Sequence, residues 1–303
     1  MRILISGAGG TIGRALMPAL TADGHTITRL VRTRAARPPR EFRWDPAAGI
    51  MDPAAIRSCD AVIHLAGASI AAGRWTAARK AAIMESRRGG TRLIAAAIAR
   101  ADPAPRVFLC SSAVGYYGDR GDATLTEESG PGAGFLADVV RVWEAEAQPA
   151  VQAGTRVVHL RQGLVLAGHG GALPRIALPF RLGLGGPIGD GRHWLSWIGL
   201  RDLIRMVRHL LARDDARGPF NAVSPRPVTH ADFSRALARV LARPALLRVP
   251  AWLLRAALGE MGRELLLFSQ RVVPSRLVAA GFTFDHPDIE DALRHAFEDA
   301  TPA

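Results

Sequence analysis

Lysine is almost absent from this chain. Lys80 is the only one among 39 basic residues, which leaves 38 arginines. The formal net charge of +12 therefore rests on arginines scattered along the whole sequence, with no long basic run. That distribution reads as composition, and it argues against a phosphate track for nucleic acid. Tyrosine is nearly as rare, with Tyr116 and Tyr117 the only two. Cysteine occurs twice, at Cys59 and Cys110, each in an apolar segment. Two reduced, buried thiols are expected rather than a disulfide. No 18-residue apolar run occurs, so no membrane-spanning helix is expected. No Cys/His spacing suits a metal, and no internal repeat or low-complexity linker appears. The first residues carry one arginine and then a strand and a glycine loop, unlike a signal peptide, and a cytoplasmic protein is expected.

What is present is the composition of a globular protein, with 49% hydrophobic and 22% charged residues in 303. The first 32 residues are the most informative. Ile3, Leu4 and Ile5 predict a strand. Gly7, Gly10 and Gly13 follow at three-residue spacing and run, through Thr11 and Ile12, into the helical pattern Ile12, Leu16, Leu20. A second strand is read over 27–31. Strand, glycine loop, helix and strand within about 30 residues are the setting of a dinucleotide-binding turn. The glycines let backbone approach a pyrophosphate, and the helix N-terminus offers unpaired N–H groups to it. Gly7, Gly10, Thr11, Ile12 and Gly13 are thus candidate cofactor residues.

The end of the second strand bears on which dinucleotide. An acidic residue there suits the free ribose 2′-hydroxyl of NAD. Here no acid occurs between Thr28 and Arg40, and Arg32 and Arg34 suit a 2′-phosphate. NADP(H) is the expected cofactor. Asp60 to Gly67 reads as a buried strand ending in small residues, where Leu65, Ala66 and Gly67 let a cofactor lie close. His64 within it reads as a core histidine. Residues 76–100 are helical, and further strands are read at 107–110 and 156–160. Strands alternating with helices predict a doubly wound parallel sheet.

These stretches, with Ser111, Ser112, Tyr116, Tyr117, Gly118, Thr126 and Glu127, resemble the extended short-chain dehydrogenase/reductase superfamily, which includes NAD(P)-dependent sugar epimerases and dehydratases. Trp75-Thr76, Gly183 to Gly189, Trp194 to Ile198, Gly259-Glu260-Met261 and Ser269 to Val272 narrow the likeness to the YfcH-like epimerase-family group. That group ends in a small domain of unknown function. The likeness spans 1–297. It implies an α/β fold: a Rossmann-type domain over 1–165, with sheet elements returning near 190–225, and a smaller α+β substrate domain over 166–303. It implies a small-molecule substrate, no nucleic-acid or membrane partner, and a monomer or homodimer. Its Arg-x-Gly-x-Val turn, matched by Arg161, Gly163 and Val165, implies a place for Arg161 at the nicotinamide end.

The superfamily's acid/base pair is a tyrosine with a lysine four residues on. An ammonium beside a phenol favours the phenolate, which exchanges a proton with the substrate. Phe135 and Val139 occupy those positions here. Three readings stay open. Tyr116 or Tyr117 takes the role, with Ser111 or Ser112 orienting the substrate; or Lys80, Arg74 or Glu127 serves; or the protein binds NADP(H) without turning over an alcohol, as a sensor or regulator. Ser111, Ser112 and Tyr117 are the candidate catalytic residues.

The second half is rich in glycine. His193, Trp194 and Trp197 stand in a glycine-dense segment that can line a cleft or buttress a hairpin. Helices are read over 198–211 and 230–242, the latter capped by Thr229, then from Pro250, and finally over 287–298. Phe282 and Phe284 predict a short edge strand. The apolar run Leu265 to Phe268 reads as core.

Overall fold

The computed structural model describes residues 1–32 and 36–299. Arg34, one of the two arginines considered for a 2′-phosphate, lies outside them. The first half runs β1 (Arg2–Ser6), α1 (Thr11–Ala22), β2 (Thr26–Val31), β3 (Glu41–Asp45), β4 (Ile50–Met51), α2 (Ala54–Arg57), β5 (Ala61–His64), α3 (Ala77–Ala99) and β6 (Val107–Ala113). It continues through β7 (Thr124–Leu125), α4 (Phe135–Ala145), α5 (Gln148–Gln152) and β8 (Arg156–Gln162). The remainder is β9 (Leu164–Leu166), α6 (Leu173–Arg181), β10 (Trp194–Leu195), β11 (Trp197–Gly199), α7 (Leu200–Ala212), β12 (Gly218–Ala222), β13 (Val228–Thr229), α8 (His230–Val240), α9 (Ala251–Leu266), β14 (Arg271–Val272), α10 (Ser275–Ala279) and α11 (Ile289–Glu298).

One sheet organises the molecule, in the order β12-β8-β6-β5-β1-β2-β3-β4. Every neighbouring pair in it is parallel except β3 with β4. The strands are apolar on both faces because helices cover both. Ile3, Ile5, Ile63, Leu109 and Val158 face one core, with Leu16 and Leu20 of α1 and Leu203, Val207 and Leu210 of α7. Leu4, Val62, Phe108 and Cys110 alternate to the other, with Ile94 and Ile98 of α3 and Trp143 of α4. Both cysteines are free and buried, and burial pushes each thiol up to about 12, where it carries no thiolate reactivity at neutral pH. Among the described residues no helix is long and apolar enough to cross a membrane.

From β1 the chain steps outward through β2 and β3, then returns to place β5, β6 and β8 on the other side. The order therefore reverses between β1 and β5. In an open α/β sheet the crevice at the C-terminal ends of two such strands is where ligands bind.

Two local expectations fail. Phe282 and Phe284 form no strand. Phe282 is buried on the first core and meets Phe284 edge-on at 5.0 Å, so apolar burial, not pairing, fixes this segment. The run Leu265 to Phe268 is only half-buried, and the sealed residue beside it is Glu264.

Candidate active site

The crevice begins at Gly7, with φ of +74°, a conformation that glycine adopts without strain. A Cβ there would stand 2.7 Å from Ala66 N and from the carbonyl carbon of Leu65, so only glycine lets this turn abut the end of β5. Gly13 is as tightly held, since its Cβ would lie 2.5 Å from Gly7 O. Gly10 donates its N–H to Gly7 O at 3.0 Å and forms the N-cap of α1. No side chain caps that helix and no acid lies in its first turn. The amides that open α1 at Thr11 and Ile12 are thereby left for an anion, and no carboxylate competes for them. Gly9 faces open space. The loop beyond β9 closes one side, where Gly170 packs against the Thr11 hydroxyl.

At the end of β2 Arg32 is exposed. Arg29, on the same strand, pairs with Glu41 of β3. Arg29, Arg37, Arg40 and Glu41 border a cleft of ≈ 410 Å³ on this side of the sheet. On the other side of the crevice, Leu65 and Ala66 are half-buried and Gly67 is exposed. His64 is sealed beneath them, with Nδ1 2.5 Å from the Ser6 hydroxyl. Burial, reinforced by Arg87, pushes His64 down to about 4, so it is neutral.

The ends of β6 and β8 hold a connected polar network. Arg161 donates from Nε and Nη2 to the two oxygens of Glu144, at 2.9 and 2.8 Å. Its Nη1 donates to the Tyr117 hydroxyl at 3.1 Å, and its guanidinium lies 3.5 Å from the Tyr116 ring centre. Tyr117 donates in turn to Asn221 Oδ1 at 2.7 Å, and Ser112 donates to Glu144 Oε1 at 2.6 Å. Burial works against the Glu144 carboxylate, but the Arg161 guanidinium outweighs it and holds the group below its ordinary range. Burial raises the Tyr117 phenol. Tyr117 has no exposed surface, and Ser112 is almost as sealed. Ser111 stands apart, accepting from Gln162 Nε2 at 3.2 Å. The structure thus gathers Ser112, Tyr117 and Arg161 into one interior cluster with Glu144 and Asn221. Sequence reading had not singled out these last two.

Phe135 opens α4. Its ring meets Trp75 edge-on at 5.0 Å, and Lys80 Nζ stands 4.5 Å above it. Lys80 is paired with Glu260 of α9, at 2.9 and 2.8 Å. Val139 is buried. The N-terminus of α4 is capped from a distance: Glu264 accepts from the amides of Phe135 and Leu136, both at 2.8 Å. Glu127 is likewise spent on backbone, accepting from Asn221 N and Arg276 N. Arg74 reaches Ala256 O at 3.5 Å. Of the two tryptophans, Trp197 is fully buried in the core built by α6, α8 and α11. Trp194 donates to Asp122 at 2.9 Å beneath Arg271.

A family model described as the NAD dependent epimerase/dehydratase family matches residues 3–224. A second, described as a domain of unknown function (DUF1731), matches residues 249–296. The chain is 42% identical over 294 residues to the epimerase family protein Mb2239 of Mycobacterium bovis, covering 97% of each. It is 36% identical over 298 residues to the epimerase family protein SDR39U1 of Homo sapiens, covering 97% of this chain and 99% of that one. The crystal structure of human epimerase family protein SDR39U1 (isoform2) with NADPH matches with a TM-score of 0.89 at 34% identity, covering 99% of this chain and 100% of that one.

Proposed function

Because the chain belongs to the NAD dependent epimerase/dehydratase family, we propose that it binds NADP(H) in the β1/β5 crevice and acts as an oxidoreductase or epimerase-like enzyme on a small molecule. The observation that carries this reading is the glycine loop. Gly7 and Gly13 each sit where a Cβ would collide with backbone, and α1 begins uncapped above them. Such a cradle fits a pyrophosphate. The exposed Arg32 at the end of β2 supports NADP(H) over NAD, as does the NADPH in the human SDR39U1 structure. Leu65, Ala66 and Gly67 would floor the cofactor. When bound, NADP(H) supplies hydride transfer at its nicotinamide ring.

Tyr117, Ser112 and Arg161 are best read as a strut that joins β6, α4, β8 and β12. Each hydroxyl and guanidinium edge in it already has a partner, and Tyr117 reaches no solvent. Of the three candidate catalytic residues, Ser111 keeps the most open hydroxyl, bonded only as an acceptor. The same expenditure of polar groups favours a second reading, a non-catalytic NADP(H)-binding regulator. Small-molecule turnover at the expense of NADPH separates the two.

Crystals of the chain grown with NADPH test the common premise. The expected density places the diphosphate against Gly7 to Gly13 and the 2′-phosphate beside Arg32. An empty crevice at saturating NADPH, or a dinucleotide bound elsewhere, overturns the reading.

A further inference from the structure

Most of the large apolar side chains left exposed among the described residues lie in two segments of the second half. Leu178, Leu182 and Leu184 belong to α6 and the turn after it. Leu246, Leu247, Trp252 and Leu253 belong to the approach to α9 and its first turn. The backbone ties the two segments side by side. Leu247 N–H donates to Gly185 O at 3.2 Å, Val249 N–H to Pro187 O at 3.0 Å and Gly189 N–H to Val249 O at 2.8 Å. A Cβ on Gly186 would stand 1.8 Å from Leu247 O, so glycine is what lets them touch. Leu246 is 82% exposed and Trp252 68%. Soluble monomers seldom leave a contiguous apolar patch uncovered.

The start of α9 repeats the pattern. Before Gly259 its more covered positions are Ala251, Leu254 and Leu258, one stripe at spacings of three and four. Trp252, Leu253, Arg255, Ala256 and Ala257 are exposed. The face turned to solvent is thus apolar except for one arginine, where a helix on a soluble core usually turns out charged and polar groups.

The charge around the patch has one sign. No acid occurs over 171–189 or 233–259. Arg235 and Arg239 find carboxylates outside these segments, in Asp232 and Glu290. Arg175, Arg181, Arg243, Arg248 and Arg255 are exposed, and among the described residues none of them forms an ion pair. Apart from arginine and the Trp252 indole, residues 171–189 and 236–259 carry no polar side chain at all.

We propose that this patch is a docking surface for an anionic lipid bilayer. The leucines and Trp252 seat among the headgroups, and the arginines meet lipid phosphates. Charge and composition select this occupant. A second copy of the chain would set arginine against arginine with no carboxylate to pair them. A folded acidic partner needs hydrogen-bonding side chains to fix its register, and the patch has none besides arginine and the indole. A fluid, acidic surface needs only apolar contact and positive charge. Among the described residues no helix is long and apolar enough to cross a membrane, so the contact is with its face. The family resemblance implied no membrane partner, and the proposal departs from that expectation. It does not depend on the cofactor reading.

The test is sedimentation of the full chain with vesicles of phosphatidylcholine alone and of phosphatidylcholine mixed with phosphatidylglycerol. Wild type is compared with the double variants Leu246→Ser with Trp252→Ser, and Arg248→Gln with Arg255→Gln. All four side chains are exposed, and thermal unfolding checks that the fold is kept. Should a pair prove unstable, its single members replace it. Wild type is expected to sediment with the mixed vesicles and not with phosphatidylcholine alone, less so as salt rises. Each double variant is expected to bind the mixed vesicles about tenfold more weakly or worse. Equal sedimentation with both vesicles, or wild-type binding by the folded variants, overturns the proposal. No sedimentation with either vesicle also overturns it and leaves an acidic protein as the occupant. A dimer in ultracentrifugation that Leu246→Ser with Trp252→Ser dissolves would assign the patch to a second copy instead.

Discussion

Glu144 is asked to do three things at once. It neutralises Arg161 through two hydrogen bonds, accepts from Ser112, and does so in a nearly dry site. Removing one partner of a buried pair strands the other charge, so Glu144→Ala should lower the unfolding free energy by about 3–5 kcal/mol. Tyr117→Phe removes only the hydroxyl bonded to Asn221 and Arg161 and should cost about 1 kcal/mol. Urea unfolding measures both, and NADP+ affinity of Tyr117→Phe should match wild type. A loss of affinity there would return Tyr117 to the ligand. The place of Ser111 and Ser112 at the end of a strand was legible from the apolar run before them, and Tyr117 and Arg161 were named from the superfamily resemblance. Their mutual use was not legible. Glu144 is 17 residues from Arg161, and Asn221 is 104 from Tyr117, and only the sheet brings them together.

At the scale of elements, α4 depends on α9. The first two amides of α4 have no side-chain cap of their own and bond instead to Glu264, whose side chain is fully buried. The approach is aimed by Gly259, whose φ of +60° breaks the helical path of α9 just before Glu260. Glu264→Ala leaves two part-buried N–H groups without their acceptor and should destabilise by about 1–3 kcal/mol, read by chemical denaturation. Glu264→Gln keeps one acceptor and should cost about half as much. Equal stability of Glu264→Ala and wild type would mean that water serves those amides as well. Helices with local caps were readable, as Thr229 shows by accepting from the Asp232 amide at 3.2 Å. A cap delivered from 128 residues away was not. The same limit misplaced the Leu265 to Phe268 run, where hydrophobicity suggested core and the packing sealed Glu264 instead.

At the scale of the whole molecule, short apolar strands alternating with helices along the chain announced the class of fold in advance. The return of a strand from the second half, expected near 190–225, is β12, but its edge position next to β8 and the antiparallel β4 at the far edge were not legible, because strand order is set by packing between distant segments. The reversal between β1 and β5 is what turns a glycine motif into a site. It sets Gly7 against Ala66, with Arg32 at the β2 side of the crevice. On the cofactor reading proposed above, this crevice selects NADP(H) through Arg32 at the end of β2. Calorimetric titration of NADP+ and NAD+ into wild type and Arg32→Ala tests it most directly. The expected result is tighter binding of NADP+ by wild type, reduced about tenfold or more in Arg32→Ala, with NAD+ unchanged. Equal affinities of wild type for the two nucleotides, or an Arg32→Ala variant that still prefers NADP+ as strongly, would contradict it.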